Sequence, residues 1–142
     1  MPSQHKWDQT WLKCAIEISN LSKDPSTKVG AIIVSSDNRK CSIGYNGFAT
    51  GLPETFDMWN NRELKYKLVI HAEENALLNC PFETIGCSVY LTHQPCAKCI
   101  IRLVQAGIQR VIYNLPYTKM GDQDIWEMHA AKFKQIKQFD LI

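Results

Sequence analysis

A chain of 142 residues with 45% apolar and 21% charged residues fits one domain, 1–142, built around one ordinary core, and excludes a disordered chain. Sixteen Lys and Arg against fourteen Asp and Glu leave a net charge of +2, so no broad basic field marks a reader of long polyanions, though a small or locally read nucleic acid stays open. The apolar runs are too short to span a bilayer, and the first residues lead into no apolar signal segment, so a reducing, cytoplasmic setting is expected.

Trp7, Trp11, Ala15 and Ile18 recur at helical spacing and predict an amphipathic helix over 5–22, its tryptophans packed in the core or an interface. Asp24-Pro25-Ser26 is a turn. Residues 29–34 are apolar and largely β-branched, as in a buried strand, and 40–45 predict a second strand, antiparallel across a short connection. Residues 46–61 carry Gly47, Gly51 and Pro53 and read as a long loop or broken helix, a common place for function. A helical turn or two follows at 63–68, then a helix over 71–78 stopped by Pro81. Strand 88–91, helix 97–105 with Gly107 at its end, strand 110–113, helix 122–132 opened by Asp122, and a strand over 136–141 complete the chain. Strands alternating with helices call for right-handed parallel crossovers, hence an α/β fold: a three-layer α/β/α sandwich around a mixed five-stranded sheet.

Six cysteines stand at 14, 41, 80, 87, 96 and 99, and only the last two are close. Cys14, Cys41, Cys80 and Cys87 are read as buried small residues. Cys96 and Cys99 open a predicted helix, as does His71, and helix starts beyond strand ends converge where ligands bind in α/β sheets. One imidazole and two thiolates form a three-ligand Zn²⁺ site with a position left for water, as catalytic zinc requires. Glu73, two residues past His71, is placed as a general acid/base beside that water. Redox pairs share the Cys-x-x-Cys spacing, and a structural zinc knuckle would need a fourth ligand, for which His93 is the nearest spare; neither explains Glu73. His93 is otherwise expected in a loop lining or packing against the pocket. Glu74 is expected to face solvent or the helix dipole.

His71-Ala72-Glu73 with Pro95-Cys96-Ala97-Lys98-Cys99 carries the zinc nucleobase deaminase pattern. With the segments Ser22 to Ala31, Gly44-Tyr45-Asn46-Gly47-Phe48, Ile100-Ile101 and Gln105 to Ile108, the chain resembles the cytidine deaminase superfamily, and within it the deoxycytidylate (dCMP) deaminases, over nearly its whole length. The resemblance implies zinc-dependent hydrolysis of dCMP to dUMP and ammonia, which supplies dUMP for thymidylate synthesis. It implies attack at C4 of cytosine by zinc-activated water, with Glu73 carrying the protons and the Ala72 N–H donating to the base carbonyl. It also implies Asn46 on the deoxyribose, Ser26, Thr27 and Lys28 on the 5′-phosphate, and Tyr117 closing the site. Members of this kind are hexamers, activated by dCTP and inhibited by dTTP with Mg²⁺, which would place a regulatory nucleotide at Tyr45, Gly47, Phe48 and Arg62. Ala49 stands where the family commonly has proline, and Ile70 where many members have cysteine. The compact size suits a viral or bacterial member, cytoplasmic or in the host cytoplasm. Deamination of another base carrier (cytidine, tRNA adenosine or guanine) is the alternative enzyme, and a non-catalytic zinc nucleotide-binding module the alternative from another class.

Overall fold

The computed structural model describes residues 1–118 and 120–141. Its elements run α1 (Gln4–Ser19), β1 (Gly30–Val34), β2 (Cys41–Tyr45), α2 (Phe56–Asn60), α3 (Arg62–Leu68), α4 (Ala72–Leu78), β3 (Ser88–His93), α5 (Ala97–Gln105), β4 (Arg110–Leu115), α6 (Gln123–Ala130) and β5 (Gln135–Gln138). They form one five-stranded sheet in the order β2-β1-β3-β4-β5. β1 runs antiparallel to β2 and β3, while β3, β4 and β5 run parallel, so the mixed sheet and its crossovers match the expectation.

Both faces of the sheet are covered, which is why β1 is apolar at every position rather than alternating. Ile32 and Val34 join Leu12 and Ala15 of α1 on one face, with Tyr90, Ile112 and Phe139. Ala31 and Ile33 point the other way, into a larger core with Ala72 and Ala76 of α4, Ile100 and Leu103 of α5, and Phe133. The layers therefore hold one helix on one side and α4 and α5 on the other.

Two strand glycines set the helix heights. A Cβ on Gly30 would run into the Ala15 carbonyl of α1, and one on Gly44 into the backbone of Ala72 and Ala76 in α4. Each helix therefore rests directly on strand backbone.

Several details depart from the expectation. Helix α1 is turned about its axis: its buried residues are Asp8, Leu12, Ala15 and Ser19, while Trp7 and Trp11 are half-buried and stack on each other at 6.1 Å. The reason is Asp8, whose carboxylate takes the Arg110 guanidinium at 2.8 Å and the Tyr90 hydroxyl at 2.7 Å, a pairing that holds it in the interior. The stretch 46–61 contains α2, capped by Thr55, whose hydroxyl accepts from the Met58 N–H. Asp122 precedes α6 in the left-handed region, at φ 57°, and its side chain caps nothing. Cys41 is exposed on the edge strand and not buried, since β2 is covered on one face only. His93 ends β3 and does not lie in the following loop.

Candidate active site

The site lies where the C-terminal ends of β2, β3 and β4 meet the loop that enters β1. His71 is the N-cap of α4 and Cys96 the N-cap of α5, both in extended backbone, with Cys99 in the first turn of α5. Pro95 keeps Gln94 extended after β3, so the chain turns abruptly into α5. The His71 Nδ1 lies 3.7 Å from the Cys96 sulfur and 3.2 Å from the Cys99 sulfur. The three donor atoms lie within 4.8 Å of one another. Tetrahedral Zn²⁺ with ordinary bond lengths separates nitrogen from sulfur by about 3.6 Å, so this donor set fits the ion. It offers three ligands, one fewer than a closed structural site, and His93 does not join them.

The electrostatics put one of the three ligands, Cys96, in its metal-binding form, while the other two hold protons that a bound metal would displace. A hydrogen bond from the Cys99 thiol and another from the His71 ring lower Cys96 to about 4, so it is a thiolate. Cys99 and His71 are raised in turn, each first by its hydrogen bond to Cys96. Glu73 is 5% exposed, and burial raises its carboxyl to about 7 against the opposing pull of the His71 charge. A carboxyl poised near neutrality suits a group that must both accept and release a proton.

A cavity of about 510 Å³ opens beside His71 and Glu73. Its lining includes His71, Ala72 and Glu73 at one end, Asp24, Ser26, Thr27 and Asn46 on the β1 side, and Trp59, Arg62, Lys65 and Tyr66 from α2 and α3. Gln94 and Tyr117 complete the rim. The Ala72 N–H lies in the first turn of α4, where no intrahelical acceptor exists. Tyr117 is tied down through its backbone, its N–H donating to Gln94 Oε1 at 3.0 Å. Burial raises its phenol to about 12, and the charges of Cys96 and Glu73 add to the effect.

The Asn46 side chain is largely committed to the protein. Its Nδ2 donates to Asp24 at 3.1 Å and to the Thr27 carbonyl at 3.0 Å, and its Oδ1 accepts from the Val29 N–H at 2.8 Å. One Oδ1 lone pair remains to face a ligand.

Asp24 is the centre of this wall and went unnoticed in the sequence beyond its turn. It is 2% exposed and accepts from the Ser26 N–H and hydroxyl, both at 2.9 Å, and from Lys65 Nζ at 2.8 Å. Burial alone would raise its carboxyl; these donors, Lys65 foremost, hold it below the ordinary carboxylate value. Lys65 and Trp59 were likewise missed, because each joins the site only through a long-range crossing; Gln94, two residues before Cys96, was also missed.

Two residues lie apart from the groups they were expected to join. Lys28 is exposed and does not line the cavity, because the chain from Thr27 to Val29 is pinned to Asn46 by its backbone. Arg62 stands apart from Tyr45, Gly47 and Phe48: it begins α3 and faces the cavity, whereas those three line a separate depression of about 370 Å³ with Lys23, Glu54 and Asn75. Phe48 is buried and stacks on Trp59 at 4.2 Å, so one aromatic pair borders both spaces.

With this geometry in view, comparison with known proteins is decisive. Residues 5–115 match the family of the cytidine and deoxycytidylate deaminase zinc-binding region. The chain belongs to that family. It is 41% identical over 106 residues to a protein of Aliivibrio fischeri named as an uncharacterized deaminase, covering 75% of this chain and 71% of the relative. It is 38% identical over 114 residues to the human deoxycytidylate deaminase, covering 76% of this chain and 64% of that protein, so it spans just under two thirds of the human relative. The dCMP deaminase of the cyanophage S-TIM5, solved with dCMP and dUMP, superposes with a TM-score of 0.78 at 26% identity over 97% of this chain and all of that one. The cytidine deaminase-like fold is thereby shown.

Proposed function

We propose that this protein hydrolyses dCMP to dUMP and ammonia. The observation that carries the proposal is the three-ligand group His71, Cys96 and Cys99, whose His71 lines the same cavity as the buried Glu73 carboxyl. Zn²⁺, when held by those three ligands, supplies the Lewis acidity that makes water nucleophilic at neutral pH. Glu73 takes the proton from that water, gives one to N3 of the pyrimidine, and assists the departing amine at C4. One water enters and one ammonia leaves, so the balance closes without another reactant. The Ala72 N–H holds the base carbonyl, Asn46 Oδ1 accepts from a sugar hydroxyl, and Tyr117 covers the nucleotide.

The 5′-phosphate is read by Arg62 with Ser26 and Thr27. Among the described residues Arg62 makes no ion pair, whereas Lys65 is neutralised by Asp24. A free guanidinium facing a cavity suits a dianion. Lys132 and Lys134, the basic residues a polymer reader would use, line a different depression beside Gly107. A nucleotide substrate is favoured over tRNA on that ground.

The same reading includes supply of dUMP for thymidylate synthesis in the cytoplasm, or the host cytoplasm for a viral protein, and assembly as a homohexamer. It also includes activation by dCTP and inhibition by dTTP, with Mg²⁺ arriving on the triphosphate. The depression at Tyr45, Gly47 and Phe48 supports an effector site, because the Phe48–Trp59 stack borders the substrate cavity as well. No helix among the described residues is long and apolar enough to cross a membrane.

The test is ammonia release from dCMP, deoxycytidine and CMP by the zinc-loaded protein, with metal content measured alongside. Preference for dCMP is expected. Equal rates on dCMP and deoxycytidine would remove the phosphate-reading part; no release from any of them would remove the activity.

A further inference from the structure

Glu74 sits beside Glu73 in sequence and has a different task. One of its oxygens accepts the His71 backbone N–H at 3.2 Å, and the other receives the Arg102 guanidinium at 3.2 Å. Arg102, on α5, also donates through Nη1 to the Lys98 carbonyl at 3.0 Å, and Lys98 lies between the two cysteine ligands. A continuous polar path therefore runs from the backbone of one ligand loop to the backbone of the other, outside the metal group itself.

The rest of the packing beneath α4 and α5 is apolar, through Ala72, Ala76, Ile100 and Leu103. Apolar contact is non-directional and resists sliding poorly, whereas a bridged charge pair fixes a distance. His71 needs such fixing. A ligating histidine is ordinarily oriented by a hydrogen bond to its second ring nitrogen. Both thiols meet the same ring nitrogen, Nδ1, and the Glu74 carboxylate holds the backbone from which that ring hangs.

We propose that Glu74 and Arg102 form a brace that keeps His71 at metal-binding separation from the Cys96–Cys99 turn and so slows the loss of zinc. Both are positioning residues, since neither touches the metal or the substrate. The brace rests on the zinc reading above, and the experiment separates the two.

Zinc-loaded protein is mixed with excess chelator, and zinc release is followed with a colorimetric indicator. Arg102→Ala and Glu74→Gln are each expected to release zinc about 10-fold faster than the parent, as loss of an outer partner typically does. The double variant should be no faster than the faster single one, because each change breaks the same path. Arg102→Lys, which keeps the charge, should lie between parent and Arg102→Ala. The visible band of the cobalt(II)-loaded variants should keep the parent's position, since all three donors remain. Release within about twofold of the parent in every variant, or single effects that multiply in the double, would overturn the brace. A shifted cobalt band would count against it too, by showing that the ligand set itself had changed. A parent chain that takes up no zinc would overturn the metal reading instead.

Discussion

In the function proposed, Glu73 serves the chemistry and Arg62 the recognition, so their variants should fail differently. Glu73→Gln keeps the shape of the side chain and removes its proton traffic. Turnover of dCMP should fall by about 10²- to 10⁴-fold while zinc content is retained, measured by ammonia release and metal analysis. Full activity in that variant would rule out the proton-carrying role. Arg62→Ala removes a charged donor to the phosphate. KM for dCMP should rise about 10- to 100-fold with kcat nearly kept, and deoxycytidine kinetics should not change. A fall in kcat on both substrates would instead place Arg62 with the structure of α3. These two residues also mark how far the sequence could be read. His71, Glu73, Cys96 and Cys99 were visible because their spacing along the chain dictates their geometry at two helix starts. Arg62 was expected at the regulatory nucleotide with Phe48, but which side of the Phe48–Trp59 stack it takes depends on how α3 folds back. Asp24 and Lys65 meet across 41 residues, a distance that no local pattern encodes.

Helix α1 shows the same contrast among the elements. Its helical spacing was legible and Trp11 does pack against the core, yet hydrophobicity alone could not pick out Asp8 as a buried residue. The buried face instead carries a carboxylate, because Arg110 and Tyr90 from β4 and β3 await it. Burial by itself would raise Asp8; hydrogen bonds from Arg110, Tyr90 and Gln4 outweigh that and hold it below its ordinary 3.8. A carboxyl depressed by folding stabilises the native state above its unfolded pKa, and that contribution is lost as pH falls through the folded value. Urea unfolding of the parent should therefore weaken below about pH 4, and Asp8→Asn should flatten that part of the profile while being less stable near neutrality. An unchanged acid limb in Asp8→Asn would assign the loss to other carboxyls. Arg110→Ala strands a buried charge and should cost about 3 to 5 kcal/mol in the same assay.

For the whole molecule, a near-neutral surface and a modest cavity fit a mononucleotide better than a polymer. On the function proposed, the substrate is held by a few local donors and not by a global field, so its association should depend only weakly on ionic strength. Raising salt from 50 to 200 mM should change kcat/KM for dCMP by roughly threefold or less, whereas a polyanion reader would lose orders of magnitude. The antiparallel first pair and the parallel crossovers were legible because periodicity and connection length constrain them, whereas the order of strands across the sheet was not. The loop 46–61 was not either, since α2 is a five-residue helix, too short for its period to repeat.

Gly44 has a meaning beyond packing. It lies on an edge strand, and its absent side chain lets the backbone of Ala72 and Ala76 rest on the sheet. The strand thus acts as a datum plane for the catalytic helix, from which the heights of His71 and Glu73 are both measured. A single methyl at position 44 would work as a shim under that helix, lifting ligand and proton carrier together relative to the thiols on α5. The active site is, in this sense, levelled from below by a residue that carries no chemistry of its own.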